Sequence, residues 1–365
     1  MQSDILVSVI IPVYNTAEYL ERTVKCLHMQ TYTIWEAIFI DDGSSDNSGM
    51  LLDDFAKIDS RIQVIHKKNE GVSIARNIGI SNAVGDKILF LDSDDIFEPC
   101  LIEDCLNCIE QFGSESVLYG YANWVEGVIN DVHKFELEKK LFSGADEIIE
   151  ILIPHFIGIS YEDINGWIRK KRNMRQGKEH TALWRIMCDA ACIKNHKINF
   201  NPELSLGEDT MFMNSYLYYS QSIAVLDKTL YYLVSRTGSA NYINNHNIRL
   251  MISNKLKLIR EKEKFAEFVR QEKGYDITKY FLGNHILSAL QICIGLANDL
   301  EVAKRHGLTL YKQFCKLSTI NGAITHFTPK WGVRCIPFYF LKYAKTLLYI
   351  GCCLIPSKLL NKFYI

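Results

Sequence analysis

Three β-rich apolar runs near the start of the chain each end abruptly on a polar tetrad, and this pattern restricts the fold more than any other feature. Ile5-Leu6-Val7-Ser8-Val9-Ile10-Ile11 leads into Pro12-Val13-Tyr14-Asn15, residues 35–40 into Asp41-Asp42-Gly43-Ser44, and residues 87–91 into Asp92-Ser93-Asp94-Asp95. Near-continuous apolar runs of this length belong to strands covered on both faces. Helix patterns separate them: Thr16 as a cap before Leu20, Val24 and Leu27, then Met50, Leu51 and Phe55, then residues 72–83, with a short strand at 61–66. Strands alternating with helices predict an α/β fold, an open and mostly parallel sheet with helices on both faces. Ligands of such sheets bind beyond the carboxyl ends of the strands, so the three tetrads are expected to line one crevice.

The 365 residues suit one large domain and a smaller appendage. Residues 116–125 read as a strand, 143–153 as a helix, 168–180 as an exposed basic loop, and 182–234 as further helix and strand. From about residue 245 the pattern is helical. The expected division is 1–235 and 236–365. The formal charge of −1 conceals an asymmetry: residues 302–365 hold ten Lys and Arg and no acidic residue. A nucleic-acid binder would spread basic charge over its body, so no nucleic-acid partner is expected. The eleven cysteines are irregularly spaced, no basic leader precedes the first strand, and reduced thiols are expected. Cys105 and Cys108 lack the second pair of ligands a zinc site needs and read as buried helix thiols. No membrane span is expected, because the uncharged run 346–357 is too short for the roughly 20 residues a spanning helix requires.

The tetrads carry the chemistry. Asp92 and Asp94 are two apart, which in an extended strand would aim both carboxylates the same way. Two such groups repel unless a cation or hydrogen-bond donors lie between them. Mg²⁺ or Mn²⁺ fits, since these ions take one or two carboxylates plus substrate phosphates; ribose hydroxyls fit as well, and so does an acidic turn that merely caps the next helix. Tyr14 can stack on a base, Asp41 can accept from a base or ribose, and Arg76 can pair with phosphate. Neither glycine-rich phosphate-binding fingerprint is present, so a diphosphate would be held by metal and side chains.

With these residues in view, the sequence resembles glycosyltransferase family 2, inverting enzymes of the GT-A fold. The matching segments are Val9-Ile10-Ile11-Pro12-Val13-Tyr14-Asn15, Ile40-Asp41-Asp42-Gly43-Ser44-Ser45-Asp46, Asn69-Glu70-Gly71-Val72-Ser73-Ile74-Ala75-Arg76-Asn77, Leu91-Asp92-Ser93-Asp94-Asp95 and Gly207-Glu208-Asp209. The resemblance spans roughly residues 5–235. It implies a nucleotide-sugar pocket from Pro12, Tyr14, Asn15, Asp41, Asp42, Asn69, Arg76, Asp92 and Ser93, with Asp94 as the Mn²⁺ or Mg²⁺ ligand and Asp95 ranked below it. Asp209 matches the catalytic base, although a carboxylate there also suits a helix N-terminus. Trp184 and Glu208 match positions near the acceptor, with core packing an equal reading for Trp184. The implied reaction moves a sugar, expected from a UDP-sugar donor, to a hydroxyl of a glycan or lipid-linked saccharide in surface polysaccharide biosynthesis. The rival reading is a non-catalytic nucleotide-sugar-binding subunit of a polysaccharide-synthesis assembly. A sugar nucleotidyltransferase is disfavoured, because it needs a glycine-rich basic loop where Pro12-Val13-Tyr14-Asn15 stands.

Two basic features remain. Arg169-Lys170-Lys171-Arg172, with Arg175 and Lys178, reads as a solvated loop or an anionic-acceptor site; Arg236, Ser239 and His246 are weaker candidates for the diphosphate. The tail mixes Trp331, Phe338, Tyr339, Phe340, Tyr343, Tyr349, Phe363 and Tyr364 with Arg334, Lys342, Lys345, Lys358 and Lys362. Such a segment suits peripheral contact with an anionic membrane, placing the protein in the cytoplasm at the inner face of the plasma membrane; packing on the first domain or on a partner is the alternative.

Overall fold

The computed structural model describes residues 5–299 except 126, 134, 136, 138, 172, 175–177 and 235–247, and residues 306–354 except 333. The first strands and helices alternate as the apolar pattern predicts: β1 (Val7–Val13), α1 (Ala17–His28), β2 (Trp35–Asp41), α2 (Ser48–Ile58), β3 (Ile62–His66), α3 (Val72–Asn82) and β4 (Lys87–Phe90). After β5 (Ile96–Phe97) comes the helix α4 (Leu101–Phe112), and β5 with β6 (Ser116–Val125), β7 (Val128–His133), β8 (Leu141–Ser143), β9 (Ile186–Asp189) and β10 (Ser222–Val234) completes one sheet. Its order is β3-β2-β1-β4-β9-β6-β10-β5, with β7 on β6 and β8 on β10. β1 to β4 pair in parallel, as do β6 and β10. β9 runs antiparallel to both β4 and β6, which makes the second half of the sheet mixed and returns β6 to the direction of β4.

β1 is apolar throughout because both of its faces are covered. Val7, Val9 and Ile11 share a core with Leu20, Val24 and Leu27 of α1. Ile10 faces the other way, where α3 lies so close that a Cβ on Gly79 would stand 2.3 Å from Ile10 Cγ2. Burying each of these branched side chains contributes about 1.5–3 kcal/mol, which fixes the strand and so the position of its polar exit.

The chain divides into two compact units, Met1–Phe156 with His180–Thr237, and Ile157–Glu179 with Gly238–Ile365. Of the segment expected as a helix over 143–153, Ser143 ends β8 and the rest is helical from Ala145 on, with a wide π-helical turn at Ile148–Leu152 before the helix Ile153–Phe156. In the second unit the helix Leu282–Asn298 is central, and Ile286, Ala289, Ile292 and Cys293 on it are buried against Met251, Tyr311, Ile320 and Phe338. The stretch Thr278–Asn298 is long and apolar enough to cross a membrane, and 67% of its apolar window is buried inside the unit. The uncharged stretch 280–298 is thus longer than the tail run from which no span was expected. Within the basic loop, Lys178 pairs with Asp163 at 3.3 Å and Met174 is buried, so the loop is not uniformly solvated. Arg172, Arg175, Arg236, Ser239, His246, Lys358, Lys362, Phe363 and Tyr364 lie outside the described residues. Cys105 and Cys108 are buried free thiols on α4.

Candidate active site

The exits of β1, β2 and β4 meet at one edge of the sheet, and hydrogen bonds tie them together. Asn15, in the left-handed region at φ 52°, accepts at Oδ1 from Ser45 N at 2.8 Å and donates its own N–H to Ser44 Oγ at 3.0 Å. Asn and Gly tolerate that conformation best. Thr16 joins the third exit, its Oγ1 lying 2.9 Å from Ser93 Oγ. Pro12 sits within β1 opposite Ile40, and the ring of Tyr14 is 49% exposed at the strand's end.

The second exit is organised by its two carboxylates. Asp41 Oδ1 accepts from Ser44 N at 2.9 Å, and Oδ2 lies 2.9 Å from His66 Nδ1. Burial works against the charged form of Asp41, but the bonds from Ser44 and His66 prevail and hold its pKa below the usual carboxylate value. His66 also meets Asp53 at 3.0 Å, and Asp53 and then Asp41 raise its pKa above 6.5. Asp42 is buried and turned toward the loop after β3, where it accepts from Glu70 N at 2.9 Å, Gly71 N at 2.8 Å and Lys67 Nζ. Asn15 Oδ1 and both carboxylate oxygens of Asp42, residues expected to touch the nucleotide, are therefore engaged in holding loops. Asn69 is exposed on the loop that Asp42 holds.

The third exit corrects one expectation. β4 ends at Phe90, and residues 92–95 form a turn in which Asp95 N lies 3.5 Å from Asp92 O. Strand alternation therefore does not set the direction of Asp92 and Asp94. The turn is fixed by Arg22 Nη2 donating to Asp94 O at 2.5 Å and Thr23 Oγ1 donating to Ser93 O at 2.8 Å. Tyr231 on β10 accepts from Asp92 N at 3.2 Å and donates to Asp95 Oδ2 at 2.7 Å. Burial, and then the charges of Asp92 and Asp94, push the Asp95 carboxyl well above its ordinary value.

Arg76, on α3, is buried beneath the crevice. Its Nη1 lies 2.6 Å from Asp209 Oδ1 and 3.7 Å from Glu208 Oε1, and its Nη2 lies 3.2 Å from Asp92 Oδ1. Glu208 and Asp209 open the helix Glu208–Tyr219, entered through Gly207 at φ 82°. Burial raises the Asp209 pKa, Arg76 opposes it, and Glu208 and Asp92 add to it, for a result of about 7. Three carboxylates share one guanidinium here, so one of them is favourably neutral. Asp209 keeps 25% of its side chain accessible. Arg76, read from sequence as a phosphate partner, is instead ion-paired within the protein.

Trp184 is 4% exposed and packs parallel to Tyr231 at a centroid distance of 4.6 Å. Its ring is core material behind the Asp92 turn, which favours core packing of the two readings the sequence left open. The sequence reading missed His66, Tyr231, Arg22 and Thr23. Only strand pairing, which sets Asp41 opposite His66, brings the first of these to the site.

A metal site can be tested on the donor set. Among the described residues no three His, Cys, Asp or Glu side chains gather into a cage. The Asp92–Asp95 turn nevertheless carries three carboxylates, and burial first, then the charges of Asp92 and Asp94, raise the Asp95 carboxyl. That donor chemistry fits Mg²⁺ or Mn²⁺, which need one or two carboxylates when phosphates supply the rest.

Residues 8–164 match the sequence model described as Glycosyl transferase family 2. Over these residues the protein is a family 2 glycosyltransferase domain. Glycosyltransferase GlyG of Streptococcus pneumoniae is 41% identical over 122 residues, 33% of this chain and 40% of that protein. The putative teichuronic acid biosynthesis glycosyltransferase TuaG of Bacillus subtilis is 37% identical over 118 residues, 32% of this chain and 47% of that protein. This chain thus spans less than half the length of either relative. Among solved structures, S. aureus TarS 1-349 in complex with UDP-GlcNAc is similar in fold, with a TM-score of 0.55 at 18% identity over 93% of this chain and 91% of that one. The family 2 glycosyltransferase domain therefore has the α/β sheet expected from its strand exits.

Proposed function

We propose that the protein transfers a sugar from a UDP-sugar to a hydroxyl of a glycan or lipid-linked saccharide, with inversion, in surface polysaccharide biosynthesis at the inner face of the plasma membrane. The observation that carries this reading is the single guanidinium of Arg76 set between Asp92, in the D-S-D-D turn, and Asp209. It fixes a candidate base beside a candidate donor site. TuaG's name supports a polysaccharide product, and the UDP-GlcNAc bound to TarS supports the donor class.

In this mechanism Tyr14 offers an exposed face to the base, Asn69 lies on the loop beside it, and Asn15, Asp41 and Asp42 keep the crevice open in one shape. Asp92 and Asp94 would hold Mn²⁺ or Mg²⁺, which supplies positive charge against the departing diphosphate. Asp209 receives the acceptor's proton on Oδ2, which has no hydrogen-bond partner among the described residues, while Oδ1 stays on Arg76. A carboxyl with a pKa near 7 is well matched to that role at neutral pH. One base opposite the leaving group suffices for inversion.

The test is a thermal-shift panel of UDP, GDP, dTDP and CMP, each with and without Mn²⁺. A ligand at a hundred times its Kd stabilises by about 2.7 kcal/mol. Stabilisation by UDP that requires Mn²⁺ and disappears in Asp94→Asn is expected. Preference for another nucleotide would overturn the donor assignment, and no response to any would favour a non-catalytic role.

A further inference from the structure

The described part of the basic tail builds a pocket of its own. A cavity of about 370 Å³ in the second unit is lined by Lys312, Lys316, Lys342 and Lys345, with Tyr343 and Leu347 also on its wall. No carboxylate lines it, and residues 302–365 contain none. Lys312 and Lys316 are one turn apart on the helix Gly307–Lys316 and repel each other. Lys342 is steered by donating to Phe327 O at 2.6 Å. Lys345 opens the helix Lys345–Leu354, whose first turn closes the cavity. Among the described residues no salt bridge involves any of the four. A fold that holds four ammonium groups around one cavity gains by taking up an anion with several acceptor oxygens.

The surroundings say where that anion comes from. Trp331 (80% exposed), Ile336, Tyr339, Phe340 and Tyr343 are exposed large side chains on and just before the helix Ile336–Tyr343, and Leu347, Ile350 and Leu354 continue them along the next helix. Spacings of three and four place each set on one helix face. The rings form a row, Trp331 to Tyr339 at 5.8 Å and Tyr339 to Tyr343 at 4.9 Å. Contiguous exposed apolar surface marks an interaction site, and Trp and Tyr favour the headgroup level of a bilayer. A soluble phosphate would use the lysines and leave this face in water.

We infer that the Lys312, Lys316, Lys342 and Lys345 pocket is a headgroup site for an anionic phospholipid, with the aromatic row resting in the interface beside it. This inference is independent of sugar transfer. It makes membrane attachment a matter of one built site, beyond diffuse charge.

Sedimentation of the full chain with vesicles tests it. Binding to equimolar phosphatidylcholine and phosphatidylglycerol, and none to phosphatidylcholine alone, is expected. Lys312→Ala with Lys345→Ala should weaken that binding about thirtyfold at low salt, from about 1 kcal/mol per basic residue. The control is Lys25→Ala with Lys57→Ala, two exposed lysines of the other unit that remove the same charge, and it should leave binding unchanged. Equal loss in both double variants would mean that net charge alone acts, and the site is refuted. Displacement of the protein from vesicles by inorganic phosphate at low millimolar concentration, with the phosphate raising its melting temperature, would assign the pocket to a soluble anion instead. Donor-induced thermal shifts in both double variants should match the parent chain, so a failure here leaves the proposed transfer reaction standing.

Discussion

Arg76 and Asp209 form a partly buried ion pair, Nη1 to Oδ1 at 2.6 Å, and the same guanidinium reaches Asp92 at 3.2 Å. The guanidinium thus joins α3 and the nearby turn after β4 to the helix Glu208–Tyr219, far along the chain. Burial raises the pKa of the Asp209 carboxyl while Arg76 restrains it, and the cluster as a whole carries more negative than positive charge. Arg76 itself is held more firmly protonated by Asp209, Asp92 and Glu208. The site is thus prepared to receive positive charge on the Asp92 side and a proton on the Asp209 side.

Asp209→Asn should lower kcat about 10²- to 10⁴-fold, the range for losing a general base, while donor-induced thermal stabilisation persists. In the parent enzyme kcat/KM should climb with pH to a plateau, with a midpoint near 7. Steady-state assays across pH check both; an unchanged pH profile in the variant would remove Asp209 from the base role.

The same shift has a stability consequence. The folded pKa of Asp209, about 7, lies above the unfolded value of roughly 3.9, so the folded state holds the proton more tightly. The resulting stabilisation is complete below the unfolded pKa and is lost as pH rises through the folded one. Asp209→Asn escapes that loss. Its melting temperature relative to the parent should increase between about pH 4 and pH 7 and then level off. A difference that is constant with pH would mean that Asp209 is already ionised in the folded protein.

Arg76→Met should act in the opposite sense. It leaves Asp92, Glu208 and Asp209 without their common cation; breaking a fully buried pair costs about 3–5 kcal/mol, and partial access of these carboxylates to water should bring the cost below that. The penalty should grow as pH rises and Asp209 ionises, and the kcat/KM midpoint should move above that of the parent. Denaturant unfolding near pH 5 and near pH 8 separates this from a pH-independent packing defect.

The β1 to β4 part of the fold was legible because its signal is local: unbroken apolar runs specify strands buried on both faces, and polar tetrads mark their ends. Most of the site positions were legible for the same reason, since strand exits converge whatever the rest of the sheet does. Their individual tasks were not. Whether the Asp42 carboxylate faces a ligand or the Gly71 amide depends on the path of a loop some 30 residues later, and no spacing rule encodes that. The choice between the two readings of Trp184 was open for the same reason, because its burial depends on the Tyr231 ring of a strand far along the chain. The stretch 280–298 was passed over in favour of a shorter run in the tail, although its length and composition were visible all along.

Gly43 offers a test of how the crevice is shaped. Its φ of +73° already disfavours a side chain, and a Cβ would stand 2.8 Å from Asn69 N and 3.1 Å from Lys67 O, both backbone atoms. Gly43→Ala must therefore move the loop after β3 away from the exit of β2. A loss of about 1–3 kcal/mol is expected, together with weaker nucleotide binding, because Asn69 shifts with the loop. Nucleotide binding by calorimetry and unfolding by denaturant should fall together; a variant that unfolds early yet binds normally would separate the loop from the donor site.

Tyr231→Phe isolates the support under the Asp92–Asp95 turn. The hydroxyl is the only atom removed, and it serves two partners: it accepts from Asp92 N at 3.2 Å and donates to Asp95 Oδ2 at 2.7 Å. The ring and its stacking on Trp184 remain, so packing is preserved. Asp95 keeps the Val234 amide at 2.7 Å but loses one of its two donors in a buried position. An unsatisfied buried polar group costs about 1–3 kcal/mol, which sets the expected loss of stability. The functional effect should be larger on metal than on base. The Mn²⁺ concentration needed for half-maximal transfer should rise, because the turn carrying Asp92 and Asp94 is less firmly held, while the pH midpoint set by Asp209 stays where it is. Metal titrations and pH profiles on the same variant decide it: a shifted pH midpoint with an unchanged metal requirement would assign Tyr231 to the Arg76 cluster instead of the turn.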